Sequence, residues 1–95
     1  VYMGHWDHLG RTLARSGDSV FNGAVDNATG IAGLLEIAAA FKRGRPPERS
    51  VVFLGLTLEE SGLLGSAYYT ANPVFPLAQT VAALNMDALY DGGPT

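Results

Sequence analysis

Two adjacent carboxylates, Glu59 and Glu60, follow directly after an apolar run over residues 51–58. The run predicts a buried strand, and Gly62 predicts a turn after it, so both acids are expected at the carboxyl end of a sheet. Neighbouring side chains on an extended segment point to opposite sides, which indicates different tasks for the two glutamates. A metal ligand and a general base would be such a pair. A solvated loop is the simplest alternative for an isolated Glu-Glu pair.

A second group of polar side chains, His5, Asp7 and His8, lies near the start of the sequence. In the His-x-Asp pair, the aspartate can accept the ring N–H that a metal does not use, which fixes the imidazole tautomer. His8 is predicted to be structural or exposed. Asp26 precedes a predicted helix, where the simplest role is an N-cap, and Asp87 follows a predicted strand, where the simplest role is a turn.

The predicted secondary structure places most of these side chains just after predicted strands. We predict strands over residues 1–3, 50–57 and 80–85, and helices over residues 28–43 and 63–71. Alternating strands and helices predict an α/β fold with a largely parallel sheet that is covered by helices. Residues 51–58 are apolar on both faces, which predicts the central strand. The groups that follow the strands are therefore expected to converge at one edge of the sheet.

The composition excludes several classes of protein. The 95 residues carry a net charge of −3 with six basic residues, so no basic surface for nucleic acid is expected. No apolar run approaches the roughly 20 residues of a membrane-spanning helix. Because cysteine is absent, any metal must be held by His, Asp or Glu. Both ends lie beside predicted strands, so we expect residues 1–95 to be part of a larger domain.

The predicted cluster has a donor set that suits a metal. Five of the nine acidic residues belong to it, namely Asp7, Asp26, Glu59, Glu60 and Asp87. Crowded carboxylates repel one another unless cations lie among them. Imidazole and carboxylate ligands suit Zn²⁺ and related divalent ions, and one carboxylate can span the roughly 3.5–4 Å between two such metals.

Four motifs together resemble the co-catalytic di-zinc aminopeptidase family, which includes secreted bacterial leucyl aminopeptidases and the catalytic domain of glutamate carboxypeptidase II. In order, the motifs are Gly4-His5-Trp6-Asp7-His8-Leu9-Gly10, Asn22-Gly23-Ala24-Val25-Asp26-Asn27-Ala28-Thr29-Gly30, Glu59-Glu60-Ser61-Gly62-Leu63-Leu64-Gly65-Ser66 and Asn85-Met86-Asp87. They cover essentially the whole chain. The resemblance implies a three-layer αβα zinc peptidase fold of the phosphorylase/hydrolase-like type. Its sheet is largely parallel here and mixed in the full domain, of which residues 1–95 are a truncated part.

The resemblance also implies a role for each residue. His5 and Asp87 are expected to bind one zinc, and Glu60 is expected to bind the other. Asp26 looks like the carboxylate that bridges the two metals. Glu59 looks like the general base that removes a proton from the attacking water. A full catalytic domain would thus hold two Zn²⁺ ions.

Three further expectations come from the same resemblance. Asp7 is expected to orient His5, and the peptide bond between Asp26 and Asn27 is expected to be cis. The family has another histidine on the second zinc, well downstream of the segment that matches Asp87. No histidine of this chain matches it, so we expect the second site to be incomplete and the 95 residues alone to be inactive.

The function implied is that of a zinc-dependent aminopeptidase, an exopeptidase that hydrolyses the N-terminal residues of peptides through a metal-activated water. Its partner is a peptide with a free N-terminus, and the family leads us to expect a periplasmic or secreted protein. Two alternatives stay open. One is an enzyme like glutaminyl cyclase, which uses a single zinc on the same scaffold. The other is a non-catalytic receptor-type relative, which loss of metal ligands would favour, although every ligand position in this range is filled.

Overall fold

The computed structural model describes residues 1–13, 16–90 and 92. Its elements are strand β1 (Tyr2–His5), helix α1 (Ala28–Arg43), strand β2 (Phe53–Leu56), helix α2 (Leu64–Ala71), a 3₁₀ helix (Leu77–Gln79) and strand β3 (Leu84–Asn85). Their order is the predicted one, and α1 has the predicted bounds. The second and third strands are shorter than predicted. An isolated antiparallel bridge joins Arg11 to Val20 within the predicted loop.

The three strands form one parallel sheet in the order β2-β1-β3. This arrangement confirms the predicted α/β fold with a parallel sheet. The prediction that residues 51–58 form the central strand is wrong, because β1 pairs on both sides and β2 lies at the edge of the sheet that the described residues form. Phe53 of β2 is 37% exposed. Apolar side chains on both faces of β2 reflect contact with helices, not the number of strands beside it.

Helix α1 packs against one face of the sheet through aromatic rings. Phe41 of α1 lies 5.9 Å from Tyr2 of β1 and 6.2 Å from Phe53 of β2, between ring centroids. Tyr2 and Phe53 are partners in the strand register and stack at 5.7 Å. Leu34 of α1 is buried and would contact a methyl group placed at Gly4. These contacts hold β1 in place and so determine where its last residue, His5, lies at the edge of the sheet.

Helix α2 lies beside the opposite face of the sheet. Leu54 and Leu56 of β2 alternate with Phe53 and so point away from α1. Both leucines line a cavity with Met3 of β1 and Tyr69 of α2. Helices therefore lie on both faces of the sheet, as the αβα prediction requires. No helix within the described ranges is long and apolar enough to cross a bilayer.

The start of α1 is tied to the segment that follows β3 by the buried side chain of Asn27, which is the N-cap. Its Oδ1 accepts hydrogen bonds from the backbone N–H groups of Gly30 and Ala88, each at 3.0 Å. Its Nδ2 donates to the carbonyl oxygen of Met86 at 2.9 Å. The capping role considered for Asp26 thus belongs to its neighbour, which leaves the Asp26 carboxylate available for other contacts.

Candidate metal centre

The predicted site residues lie beyond the carboxyl ends of the three strands. His5 is the last residue of β1, and Asp87 follows β3 by two positions. Glu59 follows β2 by three positions, and Asp26 directly precedes the N-cap of α1. The peptide bond between Asp26 and Asn27 is cis, as the resemblance implied.

A tight turn after β2 separates the two adjacent glutamates. Leu58 adopts a left-handed conformation with φ of 56°, and its N–H donates to Oδ2 of Asp7. The carbonyl oxygen of Glu59 then accepts hydrogen bonds from the N–H groups of Gly62 and Leu63 at 3.0 and 2.9 Å. A non-glycine residue in this region is uncommon and is often found at functional sites. The turn aims Glu59 toward His5 and Glu60 toward His8.

The first group of donors surrounds Nε2 of His5. This atom lies 3.0 Å from Oδ1 of Asp26 and 3.3 Å from Oδ1 of Asp87. Oε2 of Glu59 is farther away, at 4.0 Å. His5, Asp26 and Asp87 thus form a set whose ligand atoms can hold one metal ion. The His5 side chain is 2% exposed, whereas those of Asp26 and Asp87 are 43% and 42% exposed, so the set is open on its carboxylate side.

The other ring nitrogen of His5 is held by Asp7. Nδ1 lies 3.0 Å from the carbonyl oxygen of Asp7, to which it can only donate, and 3.6 Å from the Asp7 carboxylate. This tautomer leaves a lone pair on Nε2 for a metal. Burial tends to lower the pKa of His5, but the hydrogen bond to Asp7, the hydrogen bond to Asp87 and the charges of Asp87 and Glu59 together raise it. The expected orientation of His5 by Asp7 therefore involves the backbone carbonyl more closely than the side chain.

The carboxylate of Asp7 joins β1 to the turn after β2. Its Oδ2 accepts from the N–H of Leu58 and, at 3.4 Å, from the hydroxyl of Thr57. Burial tends to raise the pKa of Asp7, yet the Leu58 hydrogen bond and the nearby His5 outweigh burial and lower it. Asp7 therefore stays ionised and connects the segment that carries His5 to the segment that carries the glutamates.

A second group of donors consists of His8, Asp26 and Glu60. Nδ1 of His8 lies 2.7 Å from Oε1 of Glu60. Asp26 belongs to both groups, which is the position that a bridging carboxylate requires. The sequence predicts a structural or exposed position for His8, and its side chain is 21% exposed. Its place three residues after His5, in the same polar turn, was the available signal.

The donor set fits metal ions. Four buried atoms have no hydrogen-bond partner among the described residues: Oδ1 of Asp7, Nδ1 of His8, Oδ1 of Asp26 and Oε1 of Glu60. A buried polar atom without a partner costs about 1–3 kcal/mol, so groups of this kind call for a ligand. Imidazole nitrogen with carboxylate oxygen is a common donor set for zinc. The residues brought together therefore suit divalent cations at two neighbouring positions.

Comparisons with known proteins show the family of the chain. The sequence pattern that defines peptidase family M28 matches residues 1–95. The chain is 41% identical over 76 residues to the aminopeptidase NAALADL1 of Mus musculus, which covers 74% of this chain and 10% of that protein. It is 38% identical over 91 residues to leupeptin-inactivating enzyme 1 of Streptomyces exfoliatus, covering 82% of this chain and 21% of the enzyme.

A third relative is more distant. The vacuolar membrane protease of Pyricularia oryzae is 33% identical over 103 residues, covering 95% of this chain and 10% of that protein. The chain thus spans 10–21% of the length of these curated relatives. No solved structure gives a significant match. Because the family pattern extends over all 95 residues, the chain belongs to peptidase family M28.

Proposed function

We propose that this chain is part of the catalytic domain of a zinc-dependent aminopeptidase. The observation that carries the proposal is the convergence of Asp26 and Asp87 on Nε2 of His5, with Glu59 at 4.0 Å. A histidine and two carboxylates form an ordinary open zinc site, and a further carboxylate beside it has the position of a general base. Membership of peptidase family M28 supports hydrolysis of peptides as the reaction.

Each residue contributes a separate part of the reaction. His5, Asp26 and Asp87 would hold one zinc, and Asp26 with Glu60 would contribute to holding a second. Bound zinc would lower the pKa of a water molecule and polarise the scissile carbonyl. Glu59, whose side chain is 28% exposed, can accept the proton of the attacking water and return it to the leaving amine.

The alternatives fit the geometry less well. A single-zinc enzyme like glutaminyl cyclase needs one group of donors, whereas the described residues form two groups that share Asp26. A receptor-type relative has no need for a carboxylate beside a complete donor set, yet Glu59 lies there. Two donor groups and a neighbouring base support a two-metal hydrolase.

Turnover of leucyl-p-nitroanilide by the purified, zinc-loaded full-length protein, of which residues 1–95 are a part, tests the proposal. We expect hydrolysis of this substrate and none of its N-acetylated form, because an aminopeptidase needs a free α-amine. Replacing Glu59 with Gln removes the base and should lower kcat by about 10²- to 10⁴-fold, while zinc content measured by mass spectrometry stays unchanged. Replacing Asp26 with Ala should weaken zinc binding at both positions.

Glu36 provides a matched control, because it is exposed on α1 and Glu36→Gln should leave turnover and zinc content unchanged. Loss of zinc in Glu59→Gln together with retention of zinc in Asp26→Ala would overturn the assignment of base and bridge. Release of ammonia from an N-terminal glutaminyl peptide, without hydrolysis of leucyl-p-nitroanilide, would instead identify a cyclase.

A further inference from the structure

Asn27 is a buried residue next to an expected metal ligand, and the reaction proposed above gives it no task. Its side chain is 1% exposed, and it directly follows Asp26. Its Oδ1 accepts a hydrogen bond from the N–H of Ala88, which directly follows Asp87. We propose that Asn27 is a positioning residue, which sets the place of the Asp87 carboxylate beside Asp26 by holding Ala88 in a left-handed conformation. The proposal rests on the zinc-dependent function given above and adds to it a residue that binds no metal.

The first argument is the backbone conformation of Ala88, whose φ is 46°. This left-handed region is unfavourable for a residue that has a Cβ, and such a residue keeps it only where its surroundings impose it. The N–H of Ala88 donates to Oδ1 of Asn27 at 3.0 Å. Asn27 therefore supplies an interaction that stabilises the left-handed conformation directly after Asp87.

The second argument is that the chain is held on both sides of Asp87. The N–H of Met86 donates to a carbonyl oxygen of β1 at 2.9 Å, and the N–H of Leu89 donates to a hydroxyl oxygen of α1 at 3.0 Å. Because both neighbouring segments are anchored, a change in the backbone angles of Ala88 must be absorbed largely at Asp87. The Asp87 carboxylate, which lies 3.3 Å from Nε2 of His5, would move with that change.

The third argument is the chemistry of the amide. Oδ1 of Asn27 accepts from Ala88 and also, at 3.0 Å, from the N–H of Gly30, so one oxygen joins the start of α1 to the segment after β3. Nδ2 donates to the carbonyl oxygen of Met86 at 2.9 Å. A Cβ at Gly4 of β1 would lie 3.5 Å from Nδ2, so little space remains around the amide. A carboxylate of the same shape could accept from both N–H groups but could not donate to Met86.

The same arrangement occurs on the other side of the metal centre. Leu58, which directly precedes Glu59, has φ of 56°, and its N–H donates to Oδ2 of Asp7. Asp7 follows His5 by two positions. In both places, a side chain close in sequence to one site residue holds a left-handed residue that adjoins another. Two instances around one centre indicate that these left-handed residues serve the site and not only the turns in which they lie.

The test measures zinc binding by the purified full-length protein in competition with a chelator. The variant Asp87→Ala identifies which affinity belongs to the first donor group, because Asp87 belongs to that group alone among the described residues. Asn27→Ser keeps a hydroxyl that can cap α1 but is too short to reach Ala88. We expect Asn27→Ser to weaken the zinc of the first donor group at least about tenfold. Adding Ala88→Gly to Asn27→Ser should recover part of the loss, because glycine adopts a positive φ without support.

Variants that keep Asn27 test the same proposal if Asn27→Ser fails to fold. Ala88→Val should weaken this zinc, because a β-branched residue is disfavoured in the left-handed region, whereas Ala88→Gly alone should stay within about twofold of the unchanged protein. Thr29→Val is the matched control: it removes the hydrogen bond to Leu89 and should lower stability without weakening zinc, because Asn27 still holds Ala88. Equal affinities in Ala88→Val and the unchanged protein, or a loss in Thr29→Val as large as in Asn27→Ser, overturn the proposal.

A second measurement follows Ala88 in the absence of metal. In EDTA, the amide proton of Ala88 should exchange with solvent at least about tenfold faster in Asn27→Ser than in the unchanged protein, because its acceptor is gone. The amide proton of Ala38, in the middle of α1, should exchange equally in both proteins, which shows that the helix is intact. Equal exchange of the Ala88 proton in both proteins would also contradict the proposal.

The outcomes separate this inference from the proposed function. If the unchanged protein binds zinc and hydrolyses leucyl-p-nitroanilide, but Asn27→Ser binds zinc equally well, only the role of Asn27 is wrong. If the unchanged protein binds no zinc and has no peptidase activity, the proposed function itself fails, and the role of Asn27 fails with it.

Discussion

The imidazole of His5 has polar neighbours on both of its nitrogens, so its protonation differs between the metal-free and the zinc-bound protein. Nδ1 faces the carbonyl oxygen of Asp7, and Nε2 faces Asp26, Asp87 and, farther away, Glu59. Without metal, burial tends to lower the pKa of His5, but the hydrogen bonds to the carbonyl oxygen of Asp7 and to Asp87, together with the charges of Asp87 and Glu59, raise it above its ordinary value of 6.5. With metal, Nε2 must be unprotonated in order to bind.

The stability of the protein should therefore change with pH in opposite directions with and without zinc. In EDTA, the contribution of His5 is fully present below pH 6.5 and is lost as the pH rises through the raised pKa of the folded protein. In zinc, the added stability should grow over the same interval, because proton and metal compete for Nε2. Urea unfolding from about pH 5.5 to about pH 8.5, with and without EDTA, measures both slopes.

The variant His5→Gln supplies the control for these slopes. In this variant, the free energy of unfolding should decline less with pH in EDTA and should not rise with pH in zinc, because Gln does not titrate. A decline in EDTA that persists unchanged in His5→Gln would assign the pH dependence to another group.

The residues of the first donor group were predictable from the sequence, because each stands at the end of an element. His5 and Asp87 follow apolar strands, and Asp26 precedes a helix with a clear apolar period. His8, in the second donor group, was not predictable, because its direction depends on packing against Phe21, thirteen residues along the chain, in a loop without regular structure. Local pattern locates the ends of elements, whereas long-range contact decides where a loop side chain points.

At the scale of elements, the N-terminal turn of α1 depends on two glycines with different surroundings. A Cβ at Gly30 would collide with Oδ1 of Asn27 and would lie 2.6 Å from the carbonyl oxygen of Met86. A Cβ at Gly33 would meet only side-chain ends, Cδ1 of Leu89 and Sδ of Met86, each at 3.3 Å. The first contact is with backbone and with the buried cap, which cannot move away, whereas the second is with flexible groups.

The changes in the free energy of unfolding that Gly30→Ala and Gly33→Ala cause should accordingly differ in sign or size. Gly30→Ala is expected to destabilise the protein by roughly 2 kcal/mol or more, because it separates α1 from the segment after β3. Gly33→Ala is expected to be neutral or stabilising by up to about 1 kcal/mol, because alanine favours a helix. Thermal unfolding of both variants in zinc measures the difference. Equal destabilisation by Gly30→Ala and Gly33→Ala would show that the short distances from Gly30 to Asn27 and Met86 do not determine the stability of the protein.

The elements themselves differ in how far the sequence determines them. Helix α1 has the predicted bounds because its apolar period, its cap and its basic C-terminal residues are all local signals. The order of the strands is not local. The strand β1 pairs with β2 and β3, which are about 50 and 80 residues away, and the apolar run of β2 contains nothing that specifies one neighbour or two. The predicted central position of β2 failed for this reason.

At the scale of the whole molecule, the described residues bury little apolar surface. Leu34, at 6% exposure, is the single large apolar residue that is buried within the described residues, while Trp6, Leu35 and Tyr68 are 66–70% exposed. Small cores supply only a few kcal/mol, and domains in this range often gain stability from a metal. The donor groups lie at the ends of all three strands, so the proposed metals would add cross-links where the core is thin.

A polypeptide of residues 1–95 should therefore depend strongly on zinc. In EDTA we expect binding of the dye ANS and a broad thermal transition, and in excess zinc a sharper transition with less dye bound. At free zinc about 100 times the dissociation constant, the gain is roughly 2.7 kcal/mol for one site. The variant Asp26→Ala should lose most of this stabilisation by zinc. A sharp transition in EDTA without dye binding would show that the core alone is sufficient.

The hydrogen bonds of the Asn27 side chain also bear on when the metal centre can assemble during synthesis. Its amide holds α1 to Met86 and Ala88, and the first donor group extends from His5 to Asp87. A ribosome produces the first ligand early and the last one only after more than 80 further residues, and closing so long a loop is slow. Until Asp87 has left the ribosome and the Asn27 side chain has formed its hydrogen bonds with Met86 and Ala88, the ligand atoms of the first donor group are not close together. On the proposed function, metal would therefore bind only after Asp87 has been synthesised, and the chain would have to avoid aggregation until then without it.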